Sequence, residues 1–101
     1  NLSRGNMRAL IDIPLYAQTD LEKVTRIIQQ VNQEYASDQV EILQEPTILG
    51  PQVSENGQFY FRISITVQSG SQSIVYHQFY RLYHDALLKE GIDLPTIYAP
   101  A

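Results

Sequence analysis

Between Phe59 and Val67 the chain alternates residue by residue. Phe59, Phe61, Ile63, Ile65 and Val67 are large and apolar, while Tyr60, Arg62, Ser64 and Thr66 between them carry polar groups. Successive side chains of a strand point to opposite faces, so this run predicts a half-buried strand over 58–68, with one face that needs a cover. β-branched and aromatic residues dominate it, as a pleated surface favours. A second alternation runs through Met7, Ala9, Ile11, Ile13 and Leu15 against Arg8, Asp12 and Pro14, with Leu10 as the exception. It predicts a strand over 7–16, with Pro14 suited to a strand end or edge because it lacks an amide donor.

Two stretches change period. Leu21, Val24, Ile27, Ile28, Val31 and Tyr35 fall three and four residues apart, opposite Lys23, Arg26, Gln30 and Gln33, which predicts an amphipathic helix over 20–35. Thr19 with Glu22 three residues on reads as a capping box, and Asp20 suits the positive end of the helix dipole. In the second stretch Val75, Phe79, Leu82, Tyr83 and Ala86 mark the core face of a helix over 72–90. Gly91 is placed to close that helix, with Lys89 in its last turn.

The remaining segments supply the connections. Ser37 and Asp38 break the first helix, and an extended segment follows over 40–49, interrupted by Pro46 and punctuated by Gly50 and Pro51. Glu55-Asn56-Gly57 is a hairpin turn signal leading into the 58–68 strand. Ile92 to Pro95 reads as a short final edge strand, and Thr96 to Ala101 as an apolar tail with no evident cover. The order β, α, β, β, α, short β predicts an α+β domain of ferredoxin-like βαββαβ type, an antiparallel sheet with both helices on one face. Residues 1–6 read as a linker or the end of a preceding element, 7–95 as the domain and 96–101 as the tail.

Length fits one domain with its own core. Seven basic and 11 acidic residues give a formal charge of −4, against nucleic acid as a partner. There is no cysteine, which excludes disulfides, thiolate catalysis and cysteine metal sites. No apolar run is long enough to span a bilayer, and no signal-peptide pattern opens the chain. An opening on Asn1 in place of Met is the pattern of a piece of a longer protein.

Candidate chemistry is sparse. His77 and His84 lie seven apart on one helix, too far for a shared metal, and read as solvated surface or, less simply, as a pH-dependent contact. Asp12, Glu41 and Glu45 have no acid–base spacing and read as solvated charges. No GxSxG context or Gly-rich phosphate loop occurs, so no catalytic residue, cofactor or metal is expected. Tyr76, Tyr80 and Leu87 form a stripe beside the core face of the second helix. They either widen the core contact or meet another subunit, since Tyr is enriched at interfaces. Ile97 and Tyr98 in the tail join them as candidate interface residues.

Four segments carry a family resemblance. The run from Tyr80 to Pro95, closing on Gly91-Ile92-Asp93-Leu94-Pro95, resembles the final helix and Gly-Ile-x-Ile/Leu-Pro close of the mechanosensitive channels of small conductance, the MscS family. Thr19-Asp20-Leu21-Glu22-Lys23-Val24 is similar to that family's helix opening, Glu45-Pro46 to its Glu-Pro or Asp-Pro, and Asn1-Leu2-Ser3-Arg4 to the Asn-x-Ser-Arg that ends its small β domain. The resemblance spans nearly the whole chain and implies a ferredoxin-like domain on the cytoplasmic side. Several copies, usually seven, would build a vestibule below the pore there, with the membrane reached only through residues ahead of Asn1. Many members continue Phe-Pro after this close and add a strand of a basal barrel, whereas here Thr96-Ile97 follows Pro95. The alternative is a small regulatory ligand-binding domain of the same fold, which needs a polar pocket between subunits or at the sheet edge.

Overall fold

The computed structural model describes residues 6–95. Its elements are β1 (Asn6–Pro14), α1 (Leu21–Tyr35), a short 3-10 turn (Ala36–Asp38), β2 (Thr47–Val53), β3 (Phe59–Gln68) and α2 (Gln72–Lys89). The sheet has three strands in the order β1-β3-β2, antiparallel throughout. β3 lies in the middle because its odd face is apolar along its whole length and both its edges find partners. Ile13 lies opposite Phe61, Ile11 opposite Ile63 and Ala9 opposite Ile65, and all six are buried. Val24, Ile27, Ile28 and Val31 of α1 and Val75, Phe79, Tyr83 and Leu87 of α2 join the strand residues in one core. Both helices therefore cover the same face of the sheet, an α+β arrangement compatible with a ferredoxin-like fold.

Local chemistry sets the element ends. The N-cap of α1 is Asp20, not Thr19: its Oδ1 accepts from the Lys23 amide at 3.2 Å, and the Val24 amide donates to the Asp20 carbonyl. Thr19 is held one residue earlier, in a turn onto the Tyr16 carbonyl, so the expected capping box does not form. At the far end of β1 the Leu15 amide donates to the Phe59 carbonyl. Antiparallel ladders alternate, so the even-numbered residues of β1 turn their backbone groups the other way, and Pro14 withholds its missing donor from no ladder bond. Among the described residues nothing pairs with that outer edge of β1.

Two of the expected strands differ. Pairing expected over 40–49 instead occupies Thr47–Val53. After the 3-10 turn only Ile42 bridges to Val67, with the Leu43 amide bonded to the Thr66 carbonyl and the Gln68 amide to the Glu41 carbonyl. Pro46 has no amide to continue that ladder, so pairing lapses and resumes at Thr47. Gly50 does not end the strand. It takes φ +89° where the register shifts between Ile48 and Gly50, a bulge that glycine accommodates without a Cβ clash. The expected turn at Asn56-Gly57 is present, with Gly57 at φ +85°.

The expected strand over 92–95 does not form. Gly91 adopts φ +86°, its amide donates to the Leu88 carbonyl, and the Ile92 amide donates to the Leu87 carbonyl. This is a full Schellman close, and it occupies the backbone donor that a strand would need from Ile92. The Ile92 side chain is buried against the core instead.

Ile63 is fully buried at the centre of this core, whereas Leu10 lies on the uncovered face of the sheet. Ile63→Ala is expected to cost about 2–5 kcal/mol of stability, and Leu10→Ala about 0.5 kcal/mol or less. Urea unfolding with an unchanged m-value checks both.

Candidate functional site

α2 buries one row and shows another. Val75, Phe79, Tyr83 and Leu87, each four residues after the last, are at most 1% exposed. Residues four apart stack along one side of a helix, so this row faces the sheet and α1. Leu87, a candidate interface residue from its position beside the expected core face, is thus a core residue. The i+4 row that starts at Val75 runs straight through it, while Leu82 and Ala86 only flank the core.

The adjacent row is aromatic. The rings of Tyr76 and Tyr80 are 5.8 Å apart and tilted by 35°, and the Tyr80 and His84 rings are stacked at 6.4 Å and 18°. His77 meets the Tyr76 ring edge-on at 5.3 Å. Tyr76 and Tyr80 rest their inner edges on the core and leave the rest uncovered. Partial burial, and then the neighbouring Tyr76, push the Tyr80 phenol above its ordinary pKa. His84, read from the sequence as solvated surface, is only half-exposed: it extends the tyrosine row and approaches Asp85 Oδ1 through Nδ1 at 3.2 Å. His77 remains exposed. The row overhangs the end of β1, where Ile13, Pro14, Tyr80, His84, Leu88, Leu94 and Pro95 line a shallow depression. Ile97 and Tyr98 lie outside the described residues.

The three candidate carboxylates do not come together. Asp12 sits directly across from Arg62 in the sheet register and accepts from Nε at 2.8 Å and from an Nη at 3.0 Å. That hydrogen-bonded pairing raises the Arg62 pKa. The guanidinium also lies 5.3 Å from the Tyr60 ring centre, so the pair is a cross-strand clamp on the open face of the sheet. Glu41 contributes its backbone carbonyl to β3, and Glu45 is exposed. Among the described residues no three His, Asp or Glu gather as metal ligands, and no helix is long and apolar enough to cross a membrane.

Sequence reasoning passed over Asn32. It lies four residues after Ile28, on the buried side of α1, and is 8% exposed. The Tyr83 hydroxyl, 51 residues away, donates to its Oδ1 at 2.6 Å. This bond fixes α1 against α2 through the core. Burial pushes the Tyr83 phenol far above its ordinary range, because the phenolate would lose its hydration. A polar residue at a core spacing was the available signal, since a buried amide needs a partner.

No protein-family model matches this chain, and no curated protein matches it.

The Tyr83 phenol gives a pH test. Its pKa is raised in the folded state, so its contribution to stability is complete below the unfolded-chain value of about 10. Above that value the unfolded chain ionises while the folded chain does not, and stability falls by up to about 1.4 kcal/mol per pH unit from this one group. At neutral pH, Tyr83→Phe is expected to lose about 1–3 kcal/mol by leaving Asn32 Oδ1 without its donor. The gap between parent and variant should narrow above about pH 10. Denaturant titrations at neutral and alkaline pH check this, and a gap that stays constant would contradict it.

Proposed function

We propose that this chain is the vestibule-forming α/β domain of an MscS-like mechanosensitive channel. It is not an enzyme and needs no cofactor. It works by assembling with other copies of itself, seven in the complete channel, on the cytoplasmic side of the membrane. The membrane is reached through residues ahead of Asn1.

One observation carries the reading. A split βαβ unit is followed by a helix that ends in a Schellman close at Gly91-Ile92, with Asp93, Leu94 and Pro95 next in the chain. This arrangement is compatible with the fold that the motif resemblance implies, and the close falls on the Gly91-Ile92-Asp93-Leu94-Pro95 segment that carries it. The aromatic row of Tyr76, Tyr80 and His84 supports assembly. It is only partly used by the core, and tyrosine brings contact area at low cost in side-chain ordering. With Leu87 in the core, the contact face is Tyr76 and Tyr80 together with His84 and the exposed Leu88.

The direct test is electrical. Excised membrane patches from cells making the full-length protein that contains this chain should show a conductance that opens under suction. The same protein lacking residues 7–95 should lose or destabilise that conductance. A full-length protein that reaches the membrane and shows no tension-gated current would overturn the reading.

A further inference from the structure

The edge of the sheet opposite β1 carries a second feature, which stands independently of the channel reading. Asn32, Gln33, Ala36 and Ser37 on one side and Ile42, Leu43, Gln44 and Glu45 on the other enclose a groove of about 440 Å³. Its walls are held by backbone bonds. The Gln39 amide donates to Ala36, Ile42 to Gln39, and Leu43 to Thr66. The backbone of its walls is therefore fixed as far as Leu43 before anything binds.

One of its lining residues, Asn32, carries an unused donor. Asn32 is more than nine-tenths buried, and its Oδ1 is committed to the Tyr83 hydroxyl. That bond fixes the amide plane and leaves Nδ2, with two N–H groups, without an acceptor among the described residues. No described side-chain nitrogen or oxygen is both sealed from solvent and unpaired, so this NH2 keeps some contact with solvent, and Asn32 is one of the residues that line the groove. Ala36, Ile42 and Leu43 supply apolar wall, and Glu45 is the one charged residue of the lining.

We infer that this groove binds a small carboxamide ligand that is neutral or cationic. A carbonyl oxygen accepts from Asn32 Nδ2, an N–H or cationic group faces the Glu45 carboxylate, and an apolar stem lies on Ala36, Ile42 and Leu43. Anionic ligands are disfavoured, both by Glu45 and by the chain's formal charge of −4. The site lies across the sheet from the tyrosine row of α2, so ligand binding and assembly use different surfaces.

The test uses the isotopically labelled chain, with N-acetyl-L-argininamide as the probe and N-acetyl-L-glutamate as its anionic counterpart, followed by amide NMR. The argininamide should move the Asn32 side-chain NH2 signals to lower field, and shift the backbone amides of Ser37, Leu43 and Gln44 along a saturating curve. The glutamate should not. Two variants at exposed positions keep the fold intact: Glu45→Gln should weaken the cationic probe several-fold, and Ser37→Trp should block it by filling the mouth. The inference is overturned if the argininamide gives no saturating shift, if the anionic probe binds equally well, or if either variant binds the cationic probe as the parent does.

Discussion

The interaction on which the rest depends is the burial of one face of β3. Phe61, Ile63, Ile65 and Val67 are at most 1% exposed, and each lies on the same side of the strand. No single element can cover a face this long. β1 extends it sideways with Ile13, Ile11 and Ala9 in register, and the two helices close it from above. Apolar burial at roughly 25 cal/mol per Å² supplies the drive, but it is non-directional. Direction comes from the ladders on both edges of β3, from the Asp20 cap, and from the single hydrogen bond between Tyr83 and Asn32 that fixes one helix against the other.

Much of this was legible from period alone. The two-residue alternation at 59–67 and 7–15 and the three-and-four spacing of both helices are the direct imprint of burial on sequence, and β1, β3, α1 and α2 follow them closely. The departures lie where a backbone donor was already committed. Ile92 looks like a strand residue, but its amide closes α2. Thr19 looks like a cap, but the chain reverses through it and leaves the task to Asp20. The segment at 40–46 looks like a strand and bridges only at Ile42: before it the Ile42 amide is committed to a turn on the Gln39 carbonyl, and after it Pro46 has no amide to give. Hydrophobic pattern reports which side chains are hidden, and it says little about which carbonyl an amide will choose.

The surfaces to which the proposals assign a role were less legible for a related reason. Leu87 and Tyr80 are both large and both adjacent to the core face on a helical wheel, and only the exact rotation of α2 puts the first inside and leaves the second at the edge. Asn32 carries no motif. Its role depends on a partner 51 residues away and on a groove wall contributed by a third segment. Both surfaces depend on the same core: the packing that buries Val75, Phe79 and Tyr83 leaves Tyr76 and Tyr80 at its edge, and the bond that holds Tyr83 also holds the Asn32 amide.

In the proposed assembly, α2 packs one row into the core and presents the adjacent aromatic row to another copy of the chain. Fluorine NMR of the chain labelled at tyrosine, recorded across a dilution series, tests it most directly. The Tyr76 and Tyr80 resonances should move with concentration while the resonance of Tyr83, sealed in the core, stays fixed. Moderate salt should sharpen the contrast by screening repulsion between acidic copies. Tyr76 and Tyr80 resonances that hold still from the dilute to the concentrated limit would contradict the account.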